Sequence, residues 1–324
     1  MEKQKQFSIS PEQRKKLRKT VKKHGKYFKK ASKKKKGLNI ILVLILAILA
    51  AGFLWLHNRR KEPELEVSSD LSVHYIDVGQ GDCELLVSGG KTMLIDCGES
   101  QYAGRVTDYL KDLGVKRLDY VVATHPHSDH MGGMAKVMKN FDIGEVIIPA
   151  LPDEDVPTTA FFENFLGVCE DKNLELTEAK VGDVLELGDA RATVVAPNSE
   201  KYDDLNNYSV VLLVTHGSKK FIFDGDAEKI SEKEMISGGL LSQVDVYKVG
   251  HHGSNSSSCA AYMKEIQPKI AVISCGADNP YGHPKDGAIK RMSPYIEKLY
   301  RTDLNGTINI VSDGKELTVT TERN

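Results

Sequence analysis

The feature that most restricts this chain is a short apolar run, residues 118–123, that leads straight into Thr124-His125-Pro126-His127-Ser128-Asp129-His130. Three imidazoles and a carboxylate within six positions are costly to pack together unless a cation compensates them. Imidazole and carboxylate are the donors favoured by borderline divalent ions such as zinc, and ligands two positions apart on a tight loop converge on one ion. With only ten histidines in the whole chain, a surface histidine patch is the poorer explanation. The spacing predicts a metal site at the end of a strand.

Two later stretches supply further donors. Phe221-Ile222-Phe223-Asp224-Gly225-Asp226 is an apolar strand running into an acidic turn, and Tyr247-Lys248-Val249-Gly250-His251-His252-Gly253-Ser254 is another ending in two histidines. Alone, each reads as an ordinary polar loop. Together with the first cluster they form a set of ligands on loops at one edge of a rigid scaffold.

Short apolar runs between Gly-containing turns predict strands at 72–77, 83–87, 92–96, 118–123, 145–149, 184–187, 192–195, 210–215, 220–223, 244–249 and 270–274, with a closing hairpin at 306–311 and 316–320. Helices are predicted at 102–113, 131–141, 158–172 and 286–298. No period of 20–50 residues marks a repeat array. Strand groups interspersed with helices suit one α/β domain with two sheets packed together.

Charge divides the chain. Residues 1–61 hold 19 Lys and Arg against two acidic residues, whereas the remainder holds 25 basic against 43 acidic, a net of −18. Between tail and body, residues 38–56 carry no charge. At about 1.5 Å per residue that run spans a hydrocarbon core of about 30 Å. It is longer than a signal-peptide core, and the basic segment before it is longer than a signal n-region. The Lys/Arg excess on its N-terminal side places the tail in the cytoplasm and the body outside. The expected organisation is a basic cytoplasmic tail at 1–37, a single transmembrane helix at 38–56, a linker at 57–67 and a folded metal-binding domain at 68–324. The tail reads first as an orientation signal with no specific partner, and attraction to anionic lipid or to nucleic acid is the alternative. The five cysteines show no metal-type spacing and are expected as small buried apolar residues.

The order H-x-H-x-D-H, then strand-Gly-Asp, then strand-His-His-Gly-Ser resembles the metallo-β-lactamase superfamily. Tyr75-Ile76-Asp77-Val78-Gly79-Gln80-Gly81-Asp82 resembles the opening motif of the hydrolase domain in ComEC-type competence proteins. So do Asn206-Asn207-Tyr208-Ser209, His251-His252-Gly253-Ser254, Tyr281-Gly282-His283-Pro284 and the stretch from Arg301 to Ile308. The match covers nearly all of residues 70–315 in collinear order.

This resemblance implies an αββα four-layer sandwich. It implies two divalent ions, Zn²⁺ or Mn²⁺: one on His125 and His127, the second on Asp129, His130 and His251, with Asp226 bridging both. Between the adjacent histidines, His251 is preferred as ligand and His252 is turned toward substrate. Asp77, Asp82 and Asp96 are expected behind the ligands, the first and last orienting the histidine loop. Asn206, Ser209 and Ser254 are expected beside the site. His283 is expected to contact the phosphoryl group or protonate the leaving group, with Asp129 also at the reacting centre.

One departure stands out. Where many superfamily members carry a further histidine before the bridging aspartate, this chain offers Asn206, Asn207 and Ser209, so the first ion is short of one protein ligand. His216 sits in an expected hairpin turn and is placed at the surface, and His74 is placed as a structural residue. The implied activity is phosphodiester hydrolysis by a water activated between two ions, on DNA or a cell-wall polymer. The acidic body disfavours a long polyanion. The alternatives are hydrolysis of an acyl or lactam-type substrate and a degenerate binding domain.

Overall fold

The computed structural model describes residues 63–324, together with Lys15 and residues 47–50. Apart from those five residues, the basic tail, the apolar segment and linker residues 57–62 lie outside the described residues. Among the described residues no helix is long and apolar enough to cross a membrane.

Fifteen strands are described: β1 (Leu71–Tyr75), β2 (Glu84–Ser88), β3 (Lys91–Ile95), β4 (Arg117–Val122), β5 (Asp142–Ile148), β6 (Leu176–Glu178), β7 (Val184–Leu187), β8 (Ala190–Ala196), β9 (Val211–His216), β10 (Lys219–Phe223), β11 (Val246–Lys248), β12 (Ile270–Ile273), β13 (Lys298–Arg301), β14 (Ile308–Ser312) and β15 (Leu317–Thr321). They form two sheets, ordered β15-β14-β1-β2-β3-β4-β5-β6 and β13-β12-β11-β10-β9-β8-β7. The first sheet is antiparallel on one side and parallel from β3 to β6. The second is antiparallel from β7 to β10 and parallel from β10 to β13.

Three apolar cores define four layers. Between the sheets, Tyr75, Leu86, Met93 and Val122 pack with Val194, Leu212, Phe221, Phe223 and Val272. Outside the first sheet, Leu85, Leu94 and Val121 meet Val106 and Leu110 of helix Ala103–Asp112 and Phe165 of helix Ala160–Asp171. Outside the second, Val211, Ile222, Tyr247 and Ile273 meet Met235, Tyr262 and Met292 from helices Lys229–Gly238, Ala260–Ile266 and Asp286–Met292. The central strands are apolar on both faces because both are covered, the pattern expected of sheets with helices outside. The two-sheet αββα sandwich agrees with the expected fold.

Several elements differ from expectation. The helix predicted at 131–141 is broken into Ser128–Met131 and Met134–Met138. Gly132 and Gly133 lie between them, where a Cβ would meet Ser128 O at 2.2 Å and Cys97 O at 2.5 Å. The chain passes so close to neighbouring backbone that only glycine fits. The helix predicted to reach 298 stops at Met292, and residues 298–301 instead add β13 to the parallel edge. His216 is not at the surface: it ends β9, is 5% exposed, and bonds Ser312 Oγ at 3.0 Å and Ser69 O at 2.9 Å. His74 is buried and bonded to Ser72 and Tyr109. All five cysteines are free and buried.

Candidate metal centre

The parallel strands determine where the chemistry collects. β4 ends at Val122, β10 at Phe223, β11 at Lys248 and β12 at Ile273, and the loops after them carry the histidine cluster, Asp224 and Asp226, the His251-His252 pair and Ser274. Side-chain chemistry beyond the carboxyl ends of parallel strands is the usual arrangement in α/β sheets. A backbone bond from Val210 N to Thr124 O, 2.9 Å, ties the loop regions of the two sheets together.

Besides a group of Asp82, Asp96 and His130, two groups of donors share one carboxylate among the described residues. His125, His127 and Asp226 form one; Asp129, His130, Asp226 and His252 form the other. Asp226 belongs to both. Its Oδ2 lies 3.8 Å from His125 Nε2, and its Oδ1 lies 3.2 Å from His130 Nε2 and 3.5 Å from His252 Nε2. His125 Nε2 is 3.0 Å from His127 Nδ1, and His252 Nε2 is 3.2 Å from Asp129 Oδ2. His130 Nε2 and Asp226 Oδ1 are buried with no hydrogen-bond partner. A buried carboxylate oxygen and an imidazole nitrogen left unbonded side by side are costly in themselves and fit a divalent cation between them.

The imidazoles are held from behind. Asp96 Oδ2 accepts from His130 Nδ1 at 2.7 Å and from Thr124 Oγ1 at 2.6 Å, and Asp96 Oδ1 accepts from Thr124 N at 2.9 Å. His252 Nδ1 bonds the Ser274 carbonyl at 2.9 Å. A carbonyl only accepts, so Nδ1 carries a proton and Nε2 is the nitrogen turned toward the site. Thr124 Oγ1 and Ser209 Oγ lie 3.2 and 3.3 Å from His125 Nδ1, and Ser209 Oγ also accepts from Asp226 N.

Electrostatics favour positive charge at the centre. Burial pulls the His130 imidazolium down, but Asp226 and Asp96 outweigh it and its pKa lies well above the ordinary value. For His252 burial is again outweighed, by Asp226 and then Asp82, and the value is pushed up to about 10. His125, buried and beside His130, lies well below its ordinary value. The carboxylates thus attract a cation more strongly than burial repels it.

The expected roles of the adjacent histidines are exchanged. His252, not His251, joins Asp129, His130 and Asp226. Both residues adopt left-handed backbone, φ 48° and 51°, and this turn aims their rings apart. His251 Nδ1 lies 3.2 Å from both Glu228 Oε1 and Ser256 Oγ, with its Nε2 3.7 Å from Asp226 Oδ2. Asp77 is also displaced from its expected role. It accepts from Gly79 N and pairs with Arg323 and Arg105, so it fixes the 77–81 turn rather than the histidine loop. Ser254 bonds Ser256 and lies one residue outside the ligand turn.

A cavity of about 310 Å³ opens on the site and is lined by Gln80, His127, Asp129, Asn206, Asp226, His251, His252, Tyr281 and His283, among others. His283 stacks against Tyr281 at 5.7 Å, and burial lowers its pKa to about 4, leaving a neutral imidazole at pH 7. Asn206 Oδ1, Gln80 Nε2 and His283 Nδ1 are buried there without partners. A second cavity of about 480 Å³ shares Gln80, Asp129 and Tyr281 with the first.

Residues 76–277 match the family described as the Metallo-beta-lactamase superfamily. The chain belongs to that superfamily. It is 31% identical over 260 residues to ComE operon protein 3 of Bacillus subtilis, covering 75% of this chain and 33% of that protein. It is 30% identical over 265 residues to Competence protein ComA of Neisseria gonorrhoeae, covering 81% of this chain and 34% of the relative. The chain therefore spans about a third of the length of these relatives. Among solved structures, a CmlA beta-hydroxylase variant matches with a TM-score of 0.50 at 15% identity over 75% of this chain and 54% of that one, a likeness of fold alone. This metallo-β-lactamase-fold hydrolase thus keeps a His/Asp metal-binding cluster and resembles the hydrolase domain of ComEC-type competence proteins.

Sequence reasoning missed Glu228, Gln80 and Lys248. Lys248 had left a signal: a charge inside the apolar run of β11, where a fully buried strand has no place for an unpaired ammonium.

Proposed function

We infer that the domain hydrolyses phosphodiesters. The observation that carries this is the sharing of Asp226 between two donor groups, one carboxylate oxygen turned to each. His125, His127 and Asp226 on one side and Asp129, His130, Asp226 and His252 on the other would hold two divalent ions, which when bound would supply the charge that acidifies a water and offsets that of a phosphate. The protein's own groups do the rest. Asp96 and the Ser274 carbonyl fix the tautomers of His130 and His252, so each ring presents Nε2 to the site. Gln80 Nε2 is an unpaired donor beside Asp129 for a phosphoryl oxygen, and neutral His283 faces the same cavity. The adjoining 480 Å³ cavity gives room for a substrate longer than one phosphate unit.

The competence-protein relatives favour DNA as the diester, and the acidic body favours a less highly charged polymer such as a cell-wall phosphodiester. Residues 38–56 are the proposed single-pass anchor, with the N-terminus in the cytoplasm, the hydrolase outside and the basic tail against anionic lipid.

The test is turnover of bis-p-nitrophenyl phosphate by the detergent-extracted full chain with Mn²⁺ or Zn²⁺, alongside nitrocefin and a thioester. Turnover of the diester alone supports the assignment, with DNA and teichoic acid then compared as substrates. Turnover of nitrocefin or the thioester, with the diester untouched, moves the site to acyl chemistry. No turnover of any of them, with metal bound, indicates a binding domain.

A further inference from the structure

Lys248 is the one lysine or arginine that is buried among the described residues, at 0% exposure. It lies on β11, four residues before His252, on the face that Val246 turns to the core between the sheets. Its Nζ is 2.5 Å from Asp82 Oδ2 and 3.1 Å from Val249 O. Asp82, itself 1% exposed, sits directly behind both imidazoles of the four-residue group: Oδ1 is 3.2 Å from His252 Nδ1, and Oδ2 is 3.9 Å from His130 Nδ1. Asp96 approaches the same nitrogen more closely, its Oδ2 2.7 Å from His130 Nδ1. Behind His125, by contrast, the polar atoms at hand are the hydroxyls of Thr124 and Ser209.

The two donor groups are therefore built unequally. One has four side chains, with two carboxylates behind its imidazoles; the other has three side chains, with neutral hydroxyls behind His125. A carboxylate behind a coordinating imidazole fixes its orientation and raises its basicity, and removing such a partner costs about 10–100-fold in metal affinity. Asp82 cannot serve alone. It is buried beside Asp96, the two sharing a cluster with His130, and near Glu84, whose carboxyl is pushed well above its ordinary pKa by burial and then by Asp82; a buried carboxylate in such company needs a counter-charge. Lys248 supplies it at hydrogen-bonding distance.

We propose that Lys248, acting through Asp82, is a positioning residue that makes the Asp129–His130–Asp226–His252 site the tighter of the two metal sites. It touches neither ligand nor substrate; it anchors the carboxylate whose charge faces both rings from behind, while Asp96 and the Ser274 carbonyl make the hydrogen bonds to them. Loading is then sequential: the four-residue site fills first, and the His125–His127–Asp226 site fills at higher metal concentration. This inference rests on the two-metal assignment above.

The experiment is calorimetric titration of the chelator-stripped full chain with Mn²⁺ and with Zn²⁺, with bound metal counted by elemental analysis. Wild type is expected to show two steps, His127→Asn losing the weaker and Asp129→Asn the tighter. Lys248→Met is expected to weaken the tighter step about 10–100-fold and leave the weaker step in place. Asp82→Asn should do the same. The double variant removes both buried charges together, which protects folding if either single change unfolds the chain. In it the losses should not add. A Lys248→Met chain that folds and keeps both wild-type affinities overturns the proposal, as does equal weakening of both steps. A wild-type chain that takes up no metal would instead refute the two-metal assignment, so the two failures are told apart.

Discussion

His130 is clamped between two carboxylates: its Nδ1 lies 2.7 Å from Asp96 Oδ2, and its Nε2 lies 3.2 Å from Asp226 Oδ1. One carboxylate is structural, tied also to the backbone and hydroxyl of Thr124. The other faces the site. Because Asp96 bonds Thr124, the second residue after β4, the strand end and the ligand ring are located by a single side chain.

Asp96→Asn is expected to leave the sheets intact and to weaken metal binding about 10–100-fold, since an amide can donate to Nδ1 and favour the wrong tautomer. Equilibrium dialysis against a graded chelator checks this. Unchanged affinity would mean that Asp96 serves the strand end alone.

The exchange of His251 and His252 gives a sharper contrast. His252→Ala should cost one metal equivalent, because its Nε2 faces Asp129 and Asp226. His251→Ala should retain both, because that ring is held by Glu228 and Ser256 outside the two donor groups. Elemental analysis of the two dialysed variants decides it. The reverse outcome would restore the arrangement expected from sequence.

His74 makes stability depend on pH. Burial lowers its pKa from 6.5 to about 4. Above pH 6.5 it is neutral whether folded or unfolded and contributes no pH dependence. Between pH 6.5 and about 4 the unfolded chain takes up the proton first, so stability falls as the pH falls, by at most about 3 kcal/mol. Chemical denaturation midpoints across this window should fall less steeply in His74→Gln than in wild type.

Gly81 links the opening motif to the ligand loop. At φ 134° a Cβ there would meet Asp129 O at 2.2 Å, and the next amide, Asp82 N, donates to that same oxygen at 3.1 Å. Gly81→Ala is expected to lower stability by about 1–3 kcal/mol and to displace Asp129. Thermal unfolding and metal titration should both register it; a wild-type titration would show that the loop yields without moving its ligand.

Much of this site was legible in the sequence because its ligands come in short, unusual strings. His125, His127, Asp129 and His130 are linked by one tight loop, and Asp226 follows an apolar strand, so residue type and order located them. The choice between His251 and His252 was not legible. It depends on two consecutive left-handed residues in a tight turn, and neighbours in a chain share every compositional signal. Asp77 was misplaced for a similar reason: its partners Arg105 and Arg323 are distant in sequence. In the fold, strands that alternate or run apolar between glycines were found within one or two residues, except that β5 begins three residues earlier, at Asp142. β6 has only three residues, and helix Lys229–Gly238 has few apolar positions; packing rather than local pattern stabilises both.

The central claim is that Asp226 is shared by two cations. X-ray absorption or anomalous diffraction on the zinc- or manganese-loaded chain tests it most directly. Two ions about 3.5–4 Å apart, one on each carboxylate oxygen of Asp226, are expected. A single ion, or ions bound away from Asp226, would contradict it.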